Sequence, residues 1–202
     1  REPERGEQIE VGIKKQFAAG KVRTTFAVYE LERDNIAIPD NLGFFQQQGD
    51  QRSRGVEFEI AAEPAPGLHT FVSYAFNDAE LTRFAELNPF NPGMTFDRSG
   101  NTPAFAPENV ANVWASKRFG SGWGFGAGAR YIDSQFIAAS NSFAIDSAFL
   151  LDACVFYRKD GWRANLHLKN LTDEEYFLRG FGSESVIPAA PFAAYATIGF
   201  DL

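Results

Sequence analysis

The most regular motif of the 202-residue chain is a run of alternate glycines at positions 120, 122, 124, 126 and 128. A phosphate-binding loop needs a glycine turn that opens onto a helix, because the helix N-terminus supplies the free amides. Trp123, Phe125, Ala127 and Ala129 instead fill the intervening positions in the manner of a strand. The run therefore predicts a strand with a bare inner face, which leaves room for a loop or plug to approach.

Residues that carry catalysis or bind metals are scarce. Cys154 is the one cysteine and His69 and His167 are the two histidines, so neither an intrachain disulfide nor a Cys/His zinc site can be assembled. Both histidines fall on polar faces of separate predicted strands, without a G-x-S-x-G motif nearby. The acidic run 173–175 can in principle bind a cation, but such runs are usually solvated. We predict that the chain is not an enzyme and holds no metal.

Phenylalanine is frequent in the segments between predicted strands, where polar residues are usual. The rings in question are Phe44, Phe45, Phe84, Phe90, Phe96, Phe136, Phe143, Phe177 and Phe181. Exposed apolar patches commonly mark ligand or partner surfaces. Packing of loop against loop into a rigid cap explains the rings equally well, and both interpretations stay open at this stage.

Composition narrows the class of protein. The 19 Lys and Arg residues are outnumbered by 26 Asp and Glu, which gives a net charge of -7 and disfavours a nucleic-acid partner. Hydrophobic residues make up 45% and aromatic residues 15%, yet the mean hydropathy is -0.25, so apolar and polar residues must be interleaved. No run approaches the ~20 apolar residues of a membrane helix. Because the chain starts at Arg1 without a leader, we expect a mature or trimmed piece.

The interleaving has a period of two, which is the period of a strand with one apolar face. Val56, Phe58 and Ile60 alternate with Gly55, Glu57 and Glu59, and the same pattern recurs along the chain. A full reading predicts nine strands, at roughly 7–17, 21–33, 51–63, 67–79, 105–118, 122–135, 146–158, 161–171 and 190–202. Most are about as long as the roughly 9–11 residues that cross a bilayer as a tilted strand. On 21–33 the apolar set changes face, which a bulge or emergence from the bilayer explains.

Connections between these strands alternate strictly in length. Short turns fall at 17–20, 64–67, 120–122 and 159–161, and long segments at about 34–50, 80–104, 136–145 and 172–189. In an up-and-down meander this places all the long loops at one end, as in outer-membrane barrels. The aromatic residues Trp123, Tyr131, Tyr157 and Trp162 fall near strand ends, where interfacial girdles occur. A soluble sandwich is the less favoured alternative.

The polar face and the strand number together indicate part of a larger barrel. The polar face carries the charged or titratable residues Glu57, Glu59, Arg130, Asp152, Arg163, His167, Lys169 and Asp201. A small barrel has an interior just wide enough for side chains, and burying this many charges there is costly. Bacterial single-chain barrels also close with an even number of strands. We therefore predict an all-β, antiparallel transmembrane β-barrel segment of about nine up-and-down strands.

Several segments, taken in order, resemble the C-terminal barrel half of TonB-dependent outer-membrane receptors, most closely the siderophore receptors. They are 7–14 (EQIEVGIK), 52–59 (RSRGVEFE), 66–68 (PGL), 73–79 (SYAFNDA), 101–103 (NTP), 170–177 (NLTDEEYF) and 198–202 (IGFDL). The resemblance implies that residues 1–202 are the last strands of a 22-stranded barrel in the bacterial outer membrane, with the plug domain and the TonB-contacting box missing.

The function implied by this resemblance is TonB-energised uptake of ferric siderophores or similar metal chelates. The expected partners are outer-membrane lipid, the metal chelate and TonB, and no bound cofactor is expected because iron travels within the ligand. The resemblance suggests ligand contacts from extracellular loops, for which we select Phe44, Phe45, Phe136, Phe177, Arg179 and Phe181. Alternatives are a passive porin or adhesin barrel and a soluble carbohydrate-binding β-protein.

Overall fold

The structure, a computed structural model, describes residues 3–39, 45–88, 90–91, 93–181 and 185–201. For residues 39, 45–48 and 181 the backbone is described and the side chain is not.

Strands account for nearly all the regular structure. The elements in chain order are β1 (Arg5–Phe17), a 3-10 turn (Ala18–Gly20), β2 (Val22–Pro39), β3 (Phe45–Ala65), β4 (Leu68–Leu87), β5 (Thr95–Asp97), β6 (Asn109–Arg118), β7 (Trp123–Ile132), β8 (Gln135–Phe136), β9 (Ala144–Ile145), β10 (Ala148–Lys159), β11 (Trp162–Lys169), β12 (Phe177–Phe181), β13 (Ser185–Pro188) and β14 (Ala193–Phe200). The described residues contain no helix of the length and hydropathy needed to cross a bilayer.

Nine of these strands form one antiparallel wall in the order β1-β2-β3-β4-β6-β7-β10-β11-β14. Each wall strand pairs with the wall strand that follows it in the chain, so the predicted up-and-down meander is confirmed. β5 adds to β4, and the β8–β9 and β12–β13 ribbons belong to the loops. The wall is open, with β1 and β14 at its two edges.

Two of the predicted long loops contain extensions of the wall strands. β2 continues to Pro39 and β3 already begins at Phe45, so the predicted loop 34–50 is wrong over most of its length. β4 likewise continues to Leu87 through the start of the predicted loop 80–104. These extensions are rich in charged and polar residues on both faces, so the period of two that marks a half-buried strand is absent from them.

The register places every apolar set on the same side of the wall. Direct cross-strand partners share a face in an antiparallel pair, and Phe26, Phe58 and Tyr74 follow one another across β2, β3 and β4. This apolar face is exposed along the whole wall, with Ile9 and Ile198 at its edges both 76% exposed. No second sheet covers it among the described strands, which contradicts the soluble-sandwich alternative.

Aromatic side chains border this apolar face at both ends. At the turn end Trp123 lies 5.1 Å from Tyr157 and Trp162 lies 5.0 Å from Phe200, measured between ring centroids. Toward the loop end, Tyr131 lies eight residues further along β7 than Trp123, or about 26 Å along the strand. With the usual tilt of about 35–45° this corresponds to a height of about 20 Å, which is most of the ~25 Å apolar band of outer-membrane barrels.

The change of face predicted within 21–33 has an explanation in the register. Pairing of β2 with β1 and β3 runs without interruption from Val22 to Arg33, so no bulge interrupts this stretch. The outer face becomes charged at Glu30, which lies 2.5 Å from Arg54 on the neighbouring strand. Tyr29 faces inward, where its hydroxyl donates to Asn77 Oδ1 at 3.0 Å. The strand therefore leaves the apolar band at this level.

The inner face of β7 is covered rather than bare, which corrects the prediction from its glycines. A Cβ on Gly128 would lie 2.5 Å from the Trp114 ring, and one on Gly124 would lie 2.3 Å from the Phe156 ring. A Cβ on Gly126 would lie 2.8 Å from Trp114. The glycines thus accommodate rings from the two flanking strands, and the space is used by the wall itself.

We predict that Gly128→Val destabilises the wall by about 1–3 kcal/mol, because the new side chain must displace Trp114 from its position across β7. Urea unfolding of the complete gene product, followed by tryptophan fluorescence, measures this change. Gly199→Ala is the matched control, since the nearest atoms to a Cβ there belong to Arg163 at 3.9 Å. Equal stability of both variants would contradict the proposed packing.

Candidate ligand-binding loops

The wall brings its long connections to one end, where they form a layer held by side-chain amides. Asn101 donates to the carbonyl of Ala139 at 2.7 Å. The Thr102 N–H donates a hydrogen bond to Asn141 Oδ1 at 2.8 Å, and Asn141 Nδ2 donates one to the Thr102 carbonyl, also at 2.8 Å. The Asn-Thr-Pro segment therefore fastens the loop after β5 to the loop after β8.

Phe105 connects two of the predicted ligand-binding residues. Its backbone N–H donates to the carbonyl of Phe136 at 2.9 Å, and the Arg179 guanidinium lies 5.6 Å from its ring centroid. A Cβ on Gly180, the next residue, would lie 2.8 Å from Ile137. The segments of Phe136 and Arg179 therefore meet at Phe105, a residue that the sequence analysis did not select.

The other predicted loop residues are placed less completely. Phe177 opens β12 opposite Pro188 and is 42% exposed. Phe44 lies outside the described residues, and for Phe45 and Phe181 only the backbone is described, in β3 and β12. The structure thus brings Phe136 close to the Arg179 segment and leaves the role of all six residues a prediction.

The loop phenylalanines differ in their surroundings, and both earlier interpretations of them stay predictions. Phe90 is 94% exposed, as expected of a contact surface. Phe96 instead packs within its own loop, with the Arg98 guanidinium 4.8 Å from its ring centroid. Ile137 and Ile145 are buried in this region, and Ile137 lies next to Gly180.

The Asn170 loop fixes the approach to the last wall strand. Asn170 is buried and adopts a left-handed backbone with φ 51°. Its Oδ1 accepts from Glu174 N–H at 2.9 Å, and its Nδ2 donates to the Glu174 carbonyl at 2.9 Å. Asp173 Oδ1 accepts from Phe192 N–H at 2.7 Å, directly before β14. Asp173, the first residue of the acidic run 173–175, therefore has a structural role.

Charged pairs stabilise the strand extensions at the loop end. Asp50 accepts from Arg83 through both oxygens, at 2.6 and 3.0 Å, and from Asn35 N–H at 3.1 Å. The hydrogen bonds from Arg83 outweigh partial burial and hold the pKa of Asp50 below its ordinary value. At the loop end of β7, hydrogen bonds led by that from Asn109 lower the pKa of Asp133 in the same way.

Within the described part of the chain, no group of three His, Cys, Asp or Glu side chains is arranged to hold a metal ion. Cys154 is buried, and a Cβ on Gly126 would lie 3.1 Å from its Sγ. The described loops carry apolar rings, amides and guanidinium groups such as that of Arg179, which suits recognition of a bulky organic molecule by its surface.

Comparison with known proteins identifies the class to which this wall and its loops belong. Residues 2–171 match the family model described as "TonB dependent receptor-like, beta-barrel". The chain belongs to this family, whose members are receptor barrels of the bacterial outer membrane.

Individual relatives agree with this assignment. The chain is 32% identical to the "Ferrichrome outer membrane transporter/phage receptor" of Escherichia coli (strain K12) over 98% of its own length and 26% of the relative's. It is 28% identical to the "Ferrioxamine receptor" of Yersinia enterocolitica, over 98% of the chain and 28% of that protein. It therefore spans about a quarter of the length of these relatives.

A solved structure shows the same fold. The crystal structure of the siderophore receptor PiuA from Acinetobacter baumannii superposes with a TM-score of 0.85 at 22% identity. The match covers 96% of this chain and 28% of the PiuA chain. The open wall of nine strands therefore corresponds to part of a larger barrel.

We predict that Asn170→Ala destabilises the protein by about 2–3 kcal/mol, because it removes several buried hydrogen bonds and strains the left-handed backbone. Asn170→Gly removes the same hydrogen bonds without the strain, so we expect it to lower the free energy of unfolding by about 1 kcal/mol less than Asn170→Ala does. Thermal unfolding of the two variants in detergent measures the difference. If Ala and Gly proved equally tolerated, the Asn170 loop would not have this role.

We expect the Asp50–Arg83 pair to make the strand extensions sensitive to acid. Since the folded state lowers the pKa of Asp50, its stabilisation is complete above the ordinary value near 3.8 and is lost as pH falls through the folded value. Hydrogen-exchange protection of the Asn35 amide, corrected for intrinsic rates, should fall in that window while protection of Val56 does not. In the Asp50→Asn variant the Asn35 amide should already be poorly protected at neutral pH, as it is in the wild type in acid. Full protection of Asn35 in this variant at neutral pH would contradict the assignment.

Proposed function

We propose that the chain is the C-terminal part of the barrel of an outer-membrane receptor that imports ferric siderophores or similar metal chelates with energy delivered through TonB. The observation that carries the proposal is the 32% identity to the ferrichrome transporter, which extends over 98% of the chain. The ferrioxamine receptor supports the same ligand class. The domain that fills the barrel and contacts TonB belongs, in this proposal, to the rest of the parent protein.

The architecture of the described wall supports a transport role. The apolar face is continuous and exposed, as contact with outer-membrane lipid requires. The opposite face carries charged side chains such as Glu57 on β3, Arg130 on β7 and Lys169 on β11, which need water or a polar domain in the lumen. A lumen of this kind is consistent with a wide barrel that encloses a solute path.

The loop layer supplies a surface for the chelate. We propose that Phe44, Phe45, Phe136, Phe177, Arg179 and Phe181 contact the ligand. Rings provide broad apolar contact with an organic ligand, and a guanidinium favours an anionic one. The anchoring of the Phe136 and Arg179 segments through Phe105 keeps these contacts in place without cost at the moment of binding.

In this proposal the protein catalyses no reaction, and the iron enters as cargo within the chelate. Family membership favours a receptor over a passive porin, an adhesin or a soluble carbohydrate-binding protein. The porin alternative differs in one measurable respect, since diffusion through an open pore needs no energy coupling.

The proposal predicts that the complete gene product restores uptake of at least one labelled ferric siderophore in a bacterium that lacks its own receptors. Ferrichrome and ferrioxamine B are the first chelates to compare. Uptake should disappear in an otherwise identical strain without TonB. Uptake that continues without TonB would contradict the proposal and favour a passive pore.

Loop variants test the predicted contacts separately from assembly. Phe136→Ala and Arg179→Gln should each weaken chelate binding by about 5- to 30-fold, which corresponds to about 1–2 kcal/mol. Phe149→Ala, on the exposed apolar face of the wall, and Arg98→Gln, in another loop, are the matched controls and should leave binding unchanged. Fluorescence titration of the purified receptor measures the affinities, and unchanged affinity in both test variants would remove these residues from the site.

A further inference from the structure

A cavity of about 320 Å³ lies on the inner face of the wall near the turn end. Three arginines line it, Arg118 on β6 and, beyond β7, Arg158 and Arg163 on the neighbouring strands β10 and β11. All three are exposed on the described part of the wall. This basic cavity lies at the end of the wall opposite the candidate ligand-binding loops.

The charges of the basic cavity are only partly compensated. Arg158 and Arg163 are direct cross-strand partners, a position in which like charges are destabilising. Asp201 lies 2.5 Å from Arg163. Among the described residues, no carboxylate lies within ion-pair distance of Arg118 or Arg158.

An aromatic ring and further polar groups line the cavity beside the arginines. The Phe156 ring lies across Gly124, where a Cβ would be 2.3 Å from it, and so provides an apolar surface between the arginines. Ser116 and Asn165 add a hydroxyl and an amide to the lining. Planar guanidinium groups around such a surface match the geometry of a carboxylate, which they bind through paired hydrogen bonds.

We propose that this basic cavity binds carboxylate side chains of an acidic segment from the part of the same protein that lies outside this chain. The chain covers about a quarter of the length of its relatives, so three quarters of such a protein is available to supply the segment. The cavity opens on the polar side of the wall, which a larger closed barrel encloses. A covalently linked segment has a high effective concentration there, which a soluble anion lacks.

This inference rests on the proposed placement of the chain in a larger barrel, and its test measures contact rather than uptake. In the complete gene product, held in native outer membranes, Asn165→p-benzoyl-phenylalanine places a photoreactive group in the cavity. After irradiation, mass spectrometry of the digested protein identifies the attached peptide. We expect a peptide from outside this chain with an Asp or Glu close to the point of attachment.

Charge variants determine whether the arginines hold that segment. The double variant Arg118→Gln/Arg158→Gln should lower the crosslink yield by about tenfold, and Arg118→Lys/Arg158→Lys should restore part of it because the charges return. Arg130→Gln is the matched control, since Arg130 lies on the same face of the wall and outside the cavity. Equal yields in the Gln pair and the wild type would overturn the proposal.

A soluble anion is the competing occupant. Calorimetric titration of the purified protein with inorganic phosphate and with acetate tests it directly. Saturable binding that the Gln pair loses, together with no peptide crosslink, would overturn the assignment to an acidic segment. A crosslink only to peptides without carboxylates would overturn it as well, whereas uptake of the chelate can persist in either case.

Discussion

The structure depends on a single register that nine antiparallel strands maintain from the turns toward the loops. Because successive side chains of a strand point to opposite faces, a slip of one residue exchanges the two faces completely. Pairing of Val28 with Val56, and of Val56 with Phe76, continues one apolar level across three strands. The same register places Glu57 and Ala75 together on the inner face. The separation of the apolar face from the polar face therefore depends on the strand pairing and not on any single residue.

Backbone pairing ends where the loops begin, and side-chain amides then take over its role. Asn101 and Asn141 bind backbone groups of the opposing loop, and Asn170 binds those of its own loop. An amide carries a donor and an acceptor in the same arrangement as a peptide group, so it can close a loop as a further strand would. In this way Asn101 and Asn141 join the segments that carry Phe105 and Phe136.

The sequence predicts the wall well because most wall strands carry their own period of two within the apolar band, which needs no knowledge of their neighbours. Pairing partners follow from the alternating lengths of the connections. The cover of Gly128 by Trp114 was not predictable in this way, because it joins residues on different strands whose register was unknown. The strand extensions at Pro39 and Phe45 were not predicted for another reason, since polar residues such as Asn35 and Asp50 interrupt the alternation there. The contact of Arg179 with Phe105 joins two loops that are 74 residues apart in the chain, and local patterns carry no signal for it.

The strands β2, β3 and β4 continue past the apolar band and form a ribbon at the loop end of the wall. From Arg54 to Phe45 the strand rises through nine residues, about 30 Å along its own direction. Charged pairs such as Arg83 with Asp50 stiffen this projecting ribbon. Because the ribbon lies beyond the lipid-facing band, its side chains are not required to alternate between apolar and polar. Substitutions can therefore accumulate in the ribbon without disturbing the band of side chains that holds the wall in the membrane.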